Sequence, residues 1–219
     1  MECKRCGTCC QEGGPALHVE DLELFDHGPL QLAHLITIRR GEPVFDPVQG
    51  TTGPARQELI KIAGEGESWS CRFFEIAKRC CTIHGRHPLE CRLLSCSDTT
   101  AVEAVIERQT LTRNDLIAPT DPLRAVIADH EQRCPAHHAT ELAGRARGRK
   151  SSEALTQLAA IVRQDLAIRT AAVMAHHLQL ALELFYFGRP ILAYLPPFGL
   201  KAIEKHGRIT VQPIPERQL

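Results

Sequence analysis

Nine of the ten cysteines fall in two groups, Cys3, Cys6, Cys9 and Cys10, then Cys71, Cys80, Cys81, Cys91 and Cys96, and only Cys134 stands apart. Thiolates are soft ligands that suit zinc, copper(I) and iron–sulfur clusters. Thiols used as small core hydrophobes have no reason to bunch in this way. Cys3, Cys6 and Cys9 make two overlapping C-x2-C units, the spacing at which a tight turn aims two sulfurs at one ion. The competing use of clustered cysteines is a disulfide scaffold. The opening MECKRCGTCC has neither an apolar run nor a small-residue cleavage site, so the sequence predicts a cytoplasmic chain whose thiols stay reduced. A chain of 219 residues also has no need of covalent staples to fold.

The second group lies in CRFFEIAKRCCTIHGRHPLECRLLSC, residues 71–96. Phe73–Phe74 and Thr82–Ile83 suit short strands, and Pro88 suits the first position of a short helix running through Leu94. At about 100° per residue, Cys91 and Cys96 would point to different sides of one helix, so the helix should end between them. The adjacent pairs Cys9–Cys10 and Cys80–Cys81 cannot each serve one centre from regular structure without a turn. Neither group has the hydrophobic mass to fold alone. The expectation is a loop-rich metal core in which both segments meet.

The opening C-x2-C-x2-CC, then a Cys about sixty residues on, then C-x-I-x4-P-x2-CR-x3-C, resembles the YkgJ-type cysteine-cluster family, a zinc- or iron-chelating domain. The resemblance covers about residues 1–100. It implies that Cys3, Cys6, Cys9, Cys10, Cys71, Cys81, Cys91 and Cys96 are the metal ligands, which leaves Cys80 and Cys134 as extras. Where the family carries Tyr and Arg-Pro, this chain has His84 and His87-Pro88, while Cys91-Arg92 is kept. A similar cluster occurs in flagellin lysine methylases. No Gly-rich strand-to-helix turn offers a place for a methyl donor here, and the C-x3-C-x2-C run of radical S-adenosylmethionine enzymes is absent.

Eight thiolates can hold two zinc ions with four sulfurs each, or clusters that use four cysteines apiece. The C-x2-C-x2-C opening matches the first three positions of the bacterial ferredoxin run, which favours an iron–sulfur cluster over zinc, although Cys10 follows at once where that run places its fourth ligand later. The functional expectation is a metal-binding protein with a redox or electron-transfer role. The alternative is a zinc-stabilised protein-interaction module without catalytic activity. Cys134-Pro135, with His137-His138 beside it, and His84 and His87 are auxiliary ligand candidates; a place at the surface or a hydrogen bond to a ligand sulfur suits the latter two better.

From Ser151 to about Phe187 there is no Gly or Pro, and Leu155, Leu158, Val162, Leu166, Val173, Leu180 and Leu184 recur at helical spacing. This predicts one long amphipathic helix, or two with a bend, capped by Ser151 or Ser152 and ended by Gly188 and Pro190. His177 falls on the apolar stripe as a core histidine. The stripe would cover the metal domain, a protein partner or a second copy in a homodimer. It is too short and too polar for a membrane span. RARGRK at 145–150 reads as a solvated basic linker, and 26 basic against 26 acidic residues leave no net charge to recruit nucleic acid. Glu20, Asp21 and Glu23 read as an exposed helix face. Helical stretches are expected at 99–111 and 122–130, and short strands at 191–195 and 208–211 around His206-Gly207. The fold expectation is mainly α with small irregular β elements: a cysteine-cluster metal domain over 1–138, a linker over 139–150, and a helical C-terminal region with a Pro-rich tail over 151–219.

Overall fold

A computed structural model of the chain describes residues 6–46, 48–149 and 151–215, and the side chains of 148 and 149 lie outside that description. Helix outweighs strand, and every sheet has two strands. The chain divides into two compact units: Met1–Thr37 with Leu59–Ile117, and Ile38–Glu58 with Ala118–Leu219.

The first unit is built on Leu35–Ile38 paired with Leu59–Ile62. The β-branched run LITI is buried at all four positions, as suits a strand covered on both faces. Leu17 is fully buried between two chain segments. Its N–H donates to the Ile60 carbonyl at 2.8 Å, and its carbonyl accepts from the Leu111 N–H at 2.8 Å. Three segments distant in sequence thus share one backbone ladder over an aliphatic core of Leu17, Ile60, Ile62 and Leu111. Of the cysteines in this unit, only Cys71 is buried; the others described lie half-buried or exposed. The stretch 99–111, expected as a helix, is helical only over Thr100–Glu103, and its end is taken into that ladder.

The second unit is largely helical, with helices Leu123–Arg133, Ala136–Arg149, Ser152–His176 and Glu183–Phe187. Residues 139–149, read from sequence as a linker, therefore continue a helix. Ser151 caps the long helix by accepting from the Ala154 N–H at 3.3 Å. The gap-free stretch is two helices rather than one. His177, at φ +54, ends the first in a left-handed cap and is exposed, so it is not the core histidine expected. Leu158, Val162, Ile168 and Ala172 are buried, and the long helix packs against its two preceding helices and the strand Arg208–Pro213. Of the stripe read from the sequence, Leu158 and Val162 are buried, Leu155, Leu166, Val173 and Leu184 are half-buried, and Leu180 is exposed. The strand pairs antiparallel with Leu200–Lys205 through His206 and Gly207, both at positive φ, as a two-residue hairpin requires.

Residues 191–195, expected as a strand, form a 3-10 turn over Ile191–Tyr194. The cause is Asp165, fully buried on the long helix, whose Oδ2 accepts from the Ile191 N–H at 2.9 Å. Its Oδ1 accepts from His130 Nε2 at 2.7 Å and Arg169 Nε at 2.8 Å. Arg169 then donates to the carbonyls of Phe187, Gly188 and Arg189 at 2.9–3.1 Å, capping the end of Glu183–Phe187, and to Glu183 Oε1 at 3.0 Å. Burial opposes the Asp165 charge, but the bonds from His130 and Arg169 outweigh it and hold the carboxyl below its usual range. Burial also holds His130 below its usual value, against the pull of Asp165.

Among the described residues, no helix is long and apolar enough to cross a membrane. Asp165→Ala strands three buried donors and should cost about 3–5 kcal/mol in urea unfolding followed by circular dichroism. Because the folded unit prefers neutral His130 and ionised Asp165, their contribution is full above about pH 6.5 and declines as pH falls, first as the unfolded-state histidine protonates. An acid-insensitive difference between wild type and Asp165→Ala would contradict this.

Candidate metal centre

Cys9 and Cys10 of the first group are carried by a single helical turn, Thr8–Gln11, closed by the Gln11 N–H donating to the Gly7 carbonyl at 3.0 Å. Gly7 is at φ +85, and a Cβ there would stand 2.3 Å from Cζ of Phe74. Only glycine satisfies both demands, so the turn bearing Cys9 and Cys10 sits flush on the Phe74 ring. The same turn packs on the strand Ser70–Cys71. Cys6 Sγ lies 3.4 Å from the Thr8 hydroxyl, and Arg79 Nη2 donates to the Cys6 carbonyl at 3.2 Å. Cys3 lies outside the described residues.

Cys71 and Cys81 occupy matching places in two consecutive hairpins. Gly64–Glu65 pairs with Ser70–Cys71, and Phe74–Glu75 pairs with Cys80–Cys81, both antiparallel. Each turn ends on a residue at positive φ, Trp69 at +54 and Arg79 at +50. Cys71 lies opposite Gly64 and Cys81 opposite Phe74. Cys80 therefore corresponds to Ser70. Adjacent residues of a strand face opposite ways, so Cys80 and Cys81 point apart. The strands were expected at Phe73–Phe74 and Thr82–Ile83, one residue off at the first and two at the second.

Cys91 lies in the middle of the helix Leu89–Leu93, which Pro88 precedes and which ends before Cys96, as the angular argument required. Arg92 Nη1 donates back to the His87 carbonyl at 3.1 Å. The His84 and His87 rings stack at 4.9 Å, and His87 Nδ1 accepts from the Gly85 N–H at 3.0 Å. Asp21, expected on an exposed face with Glu20 and Glu23, is fully buried beneath this helix. Cys134 belongs to the second unit, fully buried with its thiol toward the Ile161 carbonyl at 4.0 Å, and burial pushes it up to about 12. His137 is exposed, and His138 lies 3.9 Å from Glu141.

Five of these thiols influence one another's ionisation. A hydrogen bond from the Cys10 thiol brings Cys9 down to about 6, so Cys9 is a thiolate at neutral pH. That same contact, burial, and the neighbouring Cys71 and Cys81 push Cys10 up. Burial, then Cys81 and Cys9, raises Cys71. Burial, then Cys71, Cys81 and Cys9, raises Cys91 well above the ordinary thiol range. No disulfide links the nine described cysteines. Among the described residues, no three His, Cys, Asp or Glu side chains stand as a formed metal cage. The donors present are nevertheless of the soft kind that zinc and iron take.

Residues 2–115, half of the chain, match the CxxCxxCC family, described as "Putative zinc- or iron-chelating domain". The chain belongs to this family. No curated protein and no solved structure matches it. In this CxxCxxCC protein the matched stretch takes in the described cysteines of the first unit, and Cys134 falls beyond it. Sequence reading missed His18, Asp21 and Glu90, which are polar residues turned inward around the Cys91 helix. It also missed the hairpin repeat, whose faint signal is Glu65 with Cys71 and Glu75 with Cys81, recurring at ten residues.

His18 is buried with Nδ1 on the Arg108 carbonyl at 2.8 Å and Nε2 at 3.4 Å from Glu90 Oε1. The Glu90 carboxylate, with help from the Arg108 carbonyl and against burial, holds the imidazole above its usual value. A raised folded-state value means stability that is full below about pH 6.5 and is lost as pH climbs through the folded value. The stability difference between wild type and His18→Gln, measured by urea unfolding, should shrink from pH 6 to pH 9. A difference that grows with pH would contradict the charged assignment.

Proposed function

We propose that the chain binds zinc or iron through a single thiolate centre held by Cys9, Cys71, Cys81 and Cys91, with Cys10 beside it. What supports this reading is placement: the turn bearing Cys9 packs on the strand of Cys71, and Cys71, Cys81 and Cys91 lie on two consecutive hairpins and a short helix of the same unit, near enough to raise one another's ionisation. Membership of a family described as a zinc- or iron-chelating domain supports it independently. Gathered thiols cannot all ionise in the absence of a cation, because each added negative charge opposes the next. A bound cation reverses that logic and draws the remaining protons off. Cys9, already ionised at neutral pH, is the first donor. Cys71, Cys81 and Cys91 follow by losing protons. Cys3, Cys6 and Cys96 complete the family's cysteine set, and Cys6 and Cys96 are exposed at its margins. Cys80, turned away from Cys81, is not a ligand.

Zinc in such a site would act as a structural clasp, and iron with sulfide would supply an electron-carrying cluster. The chain's own contribution is the same for either: it presents soft donors from elements far apart in sequence and ties them into one unit. Protein isolated without oxygen should carry one centre per chain, read as zinc or iron with acid-labile sulfide by elemental and sulfide analysis. Cys81→Ser and Cys91→Ser should each lose most of that metal, and Cys80→Ser should keep it. Equal loading of Cys80→Ser and Cys81→Ser would overturn the ligand assignment. Metal-free wild type would overturn the reading itself.

A further inference from the structure

Two buried or half-buried carboxylates join the Cys91 helix to the segment that leaves the N-terminal cysteine turn, and they do so reciprocally. Asp21, in the segment, lends its Oδ1 to the N–H of Leu89 at 2.8 Å. Leu89 is the first residue of the helix, so that N–H has no acceptor within the helix. Glu90, in the helix, lends its Oε2 to the N–H of Ala16 at 2.8 Å. His18 sits between them. Its N–H donates to Asp21 Oδ2 at 2.9 Å, and its ring Nε2 lies 3.4 Å from Glu90 Oε1. Arg92, next to Cys91, brings Nη1 to 3.9 Å from Asp21 Oδ1 while it donates to the His87 carbonyl. Asp21 is 0% exposed and His18 2% exposed, so these bonds are shielded from competing water.

We propose that Asp21 and Glu90 are positioning residues of the metal centre: they fix the Cys91 helix against the Ala16–Asp21 segment and so set the Cys91 sulfur relative to Cys9 and Cys10. The inference rests on the thiolate-centre reading above. Neither carboxylate serves as a ligand; both act through backbone N–H groups. A carboxylate is suited to this because it accepts on both oxygens, and the clamp uses both oxygens of each residue. Asparagine at 21 offers a single carbonyl oxygen and an NH2 group that faces a donor, so it can keep only one of the two bonds. The helix has only five residues and little rigidity of its own, which leaves its orientation to these bonds. Outer bonds of this kind typically govern metal affinity about 10–100-fold.

The test is cobalt(II) and zinc binding by the full chain, comparing wild type, Asp21→Asn, Asp21→Ala and Glu90→Gln. Ile36→Val, a core change in the same unit, serves as a purely structural control. Wild type should show sulfur-to-cobalt charge-transfer absorption and bind zinc against a competing chelator. Zinc affinity should fall about 10–100-fold in Asp21→Ala and by an intermediate factor in Asp21→Asn. The charge-transfer band of the saturated Asp21→Ala and Glu90→Gln variants should shift, and that of Ile36→Val should not. Affinities within threefold of wild type with unshifted bands would overturn the clamp, as would an equal loss in Ile36→Val. Should Asp21→Ala fail to fold, Asp21→Asn and Glu90→Gln decide the matter by the same readouts. If wild type lacks the charge-transfer band, the thiolate-centre reading fails and takes the clamp with it. A wild-type band with indifferent carboxylate variants removes the clamp alone.

Discussion

Mutual repulsion among gathered thiolates is the constraint around which the first unit is arranged. Cys9, Cys10, Cys71, Cys81 and Cys91 come from three regions of the chain, and Cys9, Cys71 and Cys81 make ionisation of the thiols beside them harder. Cys9 escapes, because Cys10 donates to it. A cluster of that kind is poised rather than finished. Burial and neighbouring sulfur oppose ionisation of Cys10, Cys71 and Cys91, and no formed cage stands among the described residues. On the proposed reading a divalent cation would supply the missing counter-charge and couple folding of this region to metal capture.

The architecture serves that gathering with few resources. Among the described residues, no helix or strand that carries a cysteine of the first unit exceeds five residues. Such pieces cannot hold a direction by themselves, and each is fixed by a specific contact instead. Gly7 fits the N-terminal turn to Phe74, Arg79 bonds the Cys6 carbonyl, and Asp21 and Glu90 lock the Cys91 helix. The second unit solves its own ordering by a buried polar network about Asp165 and Arg169. That network pairs an ionised Asp165 with a neutral His130 and fails on the acid side, whereas His18 of the first unit, held above its usual value, loses its contribution on the alkaline side.

The parts legible in the sequence are those governed by local spacing. The C-x2-C-x2-CC run declared a tight turn, Pro88 and the 91-to-96 interval declared a helix that ends early, and Ser151 declared the start of the long helix. What stayed hidden depended on distant partners. HVEDLELF patterns as a surface helix, and only a bond to Leu89, 68 residues away, shows why Asp21 is buried. Likewise the apolar run 191–195 reads as a strand, yet Asp165 captures the Ile191 N–H and the segment forms a 3-10 turn. The paired hairpins escaped notice because their likeness lies in backbone register, with only Glu and Cys repeated in sequence.

The account comes down to whether sulfur from these particular segments surrounds one metal centre. X-ray absorption at the metal edge of natively loaded protein tests this most directly. It should give a first shell of about four sulfur ligands and no light-atom ligand from protein, with one sulfur replaced by oxygen or nitrogen around the small fraction of metal that Cys91→Ser retains. A first shell dominated by nitrogen and oxygen, or one unchanged in Cys91→Ser, would contradict it.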